Sequence, residues 1–120
     1  MKLSRSIVVY LLAGWREDPF FYYPEQGERW YNHSIEEAGE DLQLPAGLVA
    51  DLTAWDDEYQ ATYDPSGNRG LESGFSSPEV EEAWRERGKV LAARIKAEST
   101  VVASVDYQAN GVIEEGSCVF

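Results

Sequence analysis

The chain has 120 residues, 43% hydrophobic and 12% aromatic, with 22 acidic residues against ten basic ones and a net charge of −12. So much apolar material excludes a disordered acidic tail, and a chain of this length buries a core without needing disulfides or structural metal. The excess of carboxylates excludes direct binding to nucleic-acid phosphates or anionic lipid, both of which need clustered Lys and Arg.

One α+β domain spanning residues 1–120 is expected. Lys2 and Arg5 precede the apolar run Ile7 to Ala13, which has the outline of a secretory signal. The run is too short, Ala13-Gly14-Trp15 is a poor cleavage site, and no stretch approaches the roughly 20 apolar residues of a membrane span. Cytoplasmic residence is the default, and the single cysteine, Cys118, reads as a structural thiol beside Val119 and Phe120.

The β-branched Ile7, Val8 and Val9, in a run ended by Gly14, predict a buried strand at the centre of a sheet. Pro19 and Pro24 bracket Phe20 to Tyr23, and Glu28 to Asn32 follows as a second extended segment, which predicts an edge hairpin turning at Pro24-Glu25-Gln26-Gly27. In a strand through Phe20-Phe21-Tyr22-Tyr23 alternate rings point to opposite faces, so one pair is expected to miss the core.

The polar stretch with Glu36, Glu37, Glu40 and Asp41 reads equally as a loop or one weak helical turn. Pro45 then starts a helix with Leu48, Leu52, Trp55 and Tyr59 along one face and Asp51, Asp57 and Glu58 on the other. Asp64-Pro65-Ser66-Gly67-Asn68 ends it, and a linker with Phe75 as a core plug runs to about Ser76. A second helix begins either at Ser76, with Glu79 completing a capping box, or at Ser77 followed by Pro78. Val80, Trp84, Leu91 and Ile95 form its apolar stripe. Gly88 in its interior costs about 1 kcal/mol relative to alanine, which suggests a close crossing with the first helix or the sheet.

Val101 to Tyr107 alternates as a strand, Asn110-Gly111 signals a hairpin, and Val112 to Val119 is expected to return as the last strand. The predicted order is β-β-β-α-α-β-β, an antiparallel or mixed sheet of about five strands with two helices packed on one face.

No residue pattern identifies a reaction. His33 is the only histidine and has no motif partner, so it is read as a surface or hairpin-end residue, and one Cys with one His cannot form a zinc ligand set. Asp64, Ser66, Asn68 and Glu72 alternate oxygen ligands, but Arg69 and Phe75 occupy the positions where a calcium loop needs Gly and Glu, so this segment is read as a turn. No cofactor or metal is expected. Charge is the stronger signal: between Arg16 and Asp64 thirteen acidic residues face two basic ones, nearly the whole net charge of the chain. Carboxylates beside aromatic rings suit docking on a basic protein, the charge speeding encounter and the rings supplying short-range energy.

The spacing Leu44-Pro45, Leu48, Leu52, Trp55, Tyr59, then Gly74-Phe75, then Trp84, Gly88, Leu91-Ala92 and Ile95 resembles a group of small acidic bacterial proteins of uncharacterised function. Some of that group look like immunity partners of polymorphic toxins. The resemblance covers residues 44 to 98, implies a shared fold and carries over nothing catalytic.

The leading expectation is therefore a cytoplasmic, bacterial, non-enzymatic acidic module that binds and neutralises a basic protein, with toxin immunity as the specific case. Glu36, Glu37, Glu40, Asp41, Asp56, Asp57 and Glu58 would steer the partner, and Trp15, Tyr22, Tyr23 and Trp30 would supply buried contacts. The alternatives are a small enzyme assembled around His33 and nearby carboxylates, or a domain that self-associates as a homodimer.

Overall fold

The structure, a computed structural model, describes residues 7–22, 31–63 and 74–120. Strands β1 (Ile7–Leu12), β2 (Phe20–Tyr22) and β3 (Tyr31–His33) precede helices α1 (Ile35–Asp41), α2 (Ala46–Gln60) and α3 (Pro78–Glu98), and β4 (Val102–Ala109) follows. The sheet order is β3-β2-β1-β4. β1 runs antiparallel to β2 and parallel to β4, so the sheet is mixed, and its β-branched first strand lies inside it as expected. β2 and β3 pair antiparallel at the edge, with Phe20 opposite His33. The hairpin turn at Pro24 to Gly27 and the calcium-like segment at 64 to 72 lie outside the described residues.

Two counts differ from the sequence expectation: among the described residues there are four strands and three helices. Asn110-Gly111 does turn the chain, with Gly111 at φ +97°, but Val112 to Val119 is no strand. The Glu114-Glu115-Gly116-Ser117 stretch lacks alternation and folds into a turn, with the Ser117 amide donating to the Glu114 carbonyl at 3.1 Å. Only the last three residues return to β4, where Phe120 exchanges backbone hydrogen bonds with Val105 and the Tyr107 amide donates to the Cys118 carbonyl.

The additional helix is α1, and its cause is local. Ser34 Oγ accepts from the Glu37 amide at 3.1 Å while Glu37 Oε1 accepts from the Ser34 amide at 3.0 Å, a complete capping box. Ile35, Ala38 and Leu42 then fall three and four apart and are buried. Ser77, not Ser76, caps α3, accepting from the Val80 amide with Pro78 in the first turn.

The core lies between the sheet and the helices. Trp55 of α2 and Trp84 of α3 stack with centroids 4.6 Å apart and planes 2° from parallel, and each indole N–H donates to the other's backbone carbonyl, at 3.1 and 2.8 Å. Two buried polar groups are thereby satisfied, which lets large indoles occupy the centre. Gly88 faces this pair: a Cβ there would overlap the Tyr107 phenol and lie 2.9 Å from Trp55 Nε1. The close crossing expected at Gly88 thus involves both α2 and the sheet.

Candidate functional site

The turn joining β1 to β2 is fastened to the C-terminal end of α2 by one side chain. Gln60 Nε2 donates to the Gly14 carbonyl at 2.8 Å and to Asp56 Oδ1 at 3.3 Å, while Gln60 Oε1 accepts from the Arg16 amide at 2.7 Å. Trp15 lies half-buried over the same end, stacked on Tyr59 with centroids 5.5 Å apart, its indole N–H donating to Thr62 Oγ1 at 2.9 Å. From β3, Asn32 Nδ2 donates to the Asp18 carbonyl at 3.1 Å.

These bonds frame a cleft of about 340 Å³ lined by Arg16, Glu17, Asp18, Asn32, Asp56 and Gln60. Arg16 is the only cation among the described residues lining it, against three carboxylates. Asp56 is the most buried of the three carboxylates. Partial burial, offset in part by the Gln60 hydrogen bond and reinforced by the charges of Asp57 and Asp18, pushes its carboxyl from the usual 3.8 up to about 6.

A pH dependence of stability follows. Asp56 binds its proton more tightly in the folded chain than in the unfolded one, so its ionisation opposes folding fully above about pH 6 and not at all below about pH 4. Asp56→Asn is expected to stabilise the protein by about 1 kcal/mol at alkaline pH, the side chain being partly solvated, with the difference fading on acidification. Urea denaturation of both proteins at the two extremes checks this, and a difference that does not change with pH would contradict it.

The sequence-predicted residues separate into groups. Glu36 and Glu40 are exposed on α1. Glu37 serves in the capping box, and the exposed Asp41 accepts from the Tyr22 hydroxyl at 2.7 Å. Gly39 of α1 lies against Val49, where a Cβ would come within 2.9 Å. Val49, Asp56 and Gln60 follow one another at spacings of seven and four, which places them on one flank of α2, so α1 and the cleft border the same flank. Asp57 is exposed and points away from the core. Glu58 occupies the opposite flank, paired to Arg87 of α3 through two hydrogen bonds. The acidic triplet therefore diverges, because neighbours on a helix are about 100° apart.

Tyr22 is corrected from an exposed contact to a core residue. It is wholly buried with Phe20 on the inward face of β2, while Phe21 on the other face is half-buried. Tyr23 and Trp30 lie outside the described residues. His33 is corrected from a surface position: it is 1% exposed, its ring stacked 4.0 Å from that of Tyr22, with Nε2 3.2 Å from the Tyr22 carbonyl oxygen and Nδ1 3.9 Å from Glu37 Oε2. Pairing opposite Phe20 turns it inward. Glu17, Asp18, Asn32 and Gln60 complete the cleft without having been singled out. Gln60 had a sequence signal, standing four residues after Asp56 on a helix, but Asn32 joins only through strand pairing.

A protein-family model described as Serratia CdiI immunity protein-like matches residues 9–110. That match extends well beyond the resemblance seen over residues 44 to 98 and takes in the β1–β2 turn, α1 and β4. No curated protein gives a significant match to the chain.

Proposed function

We propose that this chain, which belongs to the Serratia CdiI immunity protein-like family, binds and neutralises a toxin through the acidic flank made by the β1–β2 turn, α1 and the adjoining side of α2. The family is one of immunity proteins, and the chain is accordingly not an enzyme but, in this reading, a binder. Among the described residues no helix is long and apolar enough to cross a membrane, and the proposed action is in the cytoplasm.

The observation that carries the reading is the crowding of Glu17, Asp18 and Asp56 around one cleft with Asp57 close by. A Lys or Arg of the partner entering there relieves repulsion already present in the free protein, so the association gains more than an isolated surface pair would give. Glu36, Glu37, Glu40 and Asp41 extend the negative field about 10 Å further along α2 and steer encounter. Trp15 offers a partly exposed ring beside the cleft, and Tyr23 and Trp30 are proposed as further contacts. Glu58 is held by Arg87 on the other flank and contributes less.

The test is calorimetric titration with the cognate toxin domain. Binding is expected to weaken by more than about tenfold when salt is raised from roughly 0.05 M to 0.5 M. Absence of binding, or binding indifferent to salt, would count against the acidic flank as the contact.

A further inference from the structure

We propose that the face formed by α2 and α3 is a self-association surface, on which a second copy of this chain docks with each α3 lying over the other copy's α2. This goes beyond the toxin-binding reading and uses the opposite flank of α2. Between the two helices runs a groove of about 330 Å³ floored by Ala54, Trp55, Val90 and Leu91. Val90 in its middle is 59% exposed, although Trp84, Leu91 and Ile95 on the same helix are buried. The groove is framed at its two ends by ion pairs, Arg87 with Glu58 and Arg94 with Asp51 at 2.7 Å.

Charge distribution points to a second copy as the occupant. Of the basic residues on α3, Arg87 and Arg94 line the groove, while Arg85, Lys89 and Lys96 lie on other sides of the helix. Those two cations offset Asp51 and Glu58 in the groove, with Glu98 also paired to Arg94, so in a molecule of net charge −12 this face is nearly balanced and two copies meet here with little repulsion. The groove is also complementary to itself. α3 presents cation, apolar residue, cation in Arg87, Val90 and Arg94, and the antiparallel α2 presents anion, apolar residue, anion in Glu58, Ala54 and Asp51.

A two-fold axis along the groove places Arg87 over Glu58 of the second copy, Arg94 over its Asp51 and Val90 over its Ala54. An axis across the groove would instead set cation on cation and anion on anion. The charge order thus selects one isologous arrangement and excludes the other. Arg87 holds Glu58 and Arg94 holds both Asp51 and Glu98, and the five N–H donors of each guanidinium leave enough to add a carboxylate across the interface.

Sedimentation equilibrium of the full chain, alone, from micromolar to millimolar concentration tests this without reference to any toxin. Wild type is expected to shift to twice the monomer mass. Arg87→Glu with Arg94→Glu, and separately Asp51→Arg with Glu58→Arg, are each expected to weaken dimerisation by at least about tenfold, and mixing the two variants is expected to restore a one-to-one dimer. Val90→Glu, an exposed change that leaves both intrachain ion pairs in place, is expected to give a folded monomer by circular dichroism even if a charge reversal disturbs folding. A wild type monomeric throughout, or a dimer that survives Val90→Glu, overturns the proposal.

Discussion

Replacing Gly88 with alanine is expected to destabilise the protein by about 2 to 3 kcal/mol in urea denaturation, against the direction that helix propensity dictates. In an open helix interior the same change stabilises by about 1 kcal/mol, because alanine restricts the unfolded backbone. Here the added methyl would overlap the Tyr107 phenol and press on the Trp55 indole nitrogen. Neither neighbour yields easily. Trp55 is fixed by stacking on Trp84 and by reciprocal hydrogen bonds to its backbone, and the Tyr107 hydroxyl donates to the Arg85 carbonyl at 2.8 Å. The steric term exceeds the propensity term, which sets the sign. Tyr107→Phe removes the hydroxyl that the methyl would meet first, so the double variant is expected to lose about 1 kcal/mol less than the two single losses together. A Gly88→Ala protein as stable as wild type would show that the core between α2, α3 and β4 is looser than described.

Neutralising the cleft, by Glu17→Gln, Asp18→Asn and Asp56→Asn together, is expected to weaken toxin binding by about a hundredfold at low salt, with much of the loss in the association rate. The folded state should not suffer. Asp56 is held ionised at neutral pH against burial and against Asp57 and Asp18, so removing charge there relieves repulsion. Loss of binding with retained stability separates a contact surface from a structural one. Glu58→Gln provides the contrast, since its carboxylate already pairs with Arg87 on the other flank, and less than about a twofold change in affinity is expected. Equal effects at the cleft and at Glu58 would remove the reason for preferring one flank.

The helices that build this arrangement were largely legible in the residues. Leu48, Leu52, Trp55 and Tyr59 marked the buried face of α2, and Ser77-Pro78 marked the start of α3, because capping and periodicity are local properties. Ser34 and Glu37 carried an equally local signal for α1, obscured by the acidity of the segment that follows. Non-local pairing was harder to read. The parallel register of β1 on β4, the reduction of the last expected strand to a short return at Cys118 to Phe120, and the inward turn of Tyr22 and His33 all depend on which strands meet. The cleft shares that difficulty: linear acidity predicted a negative side, but residues 56 to 58 face three directions, and Asp56 becomes part of a site only through Gln60, the β1–β2 turn and Asn32.

Amide hydrogen exchange of the chain with and without the toxin domain tests the location of the contact most directly. The acidic-flank account predicts slowed exchange in the β1–β2 turn, residues 14 to 19, and in α1 with the residues that follow it, while the exposed side of α3 keeps the rates of the free protein. Protection confined to α3, with the β1–β2 turn and α1 unchanged, would contradict it.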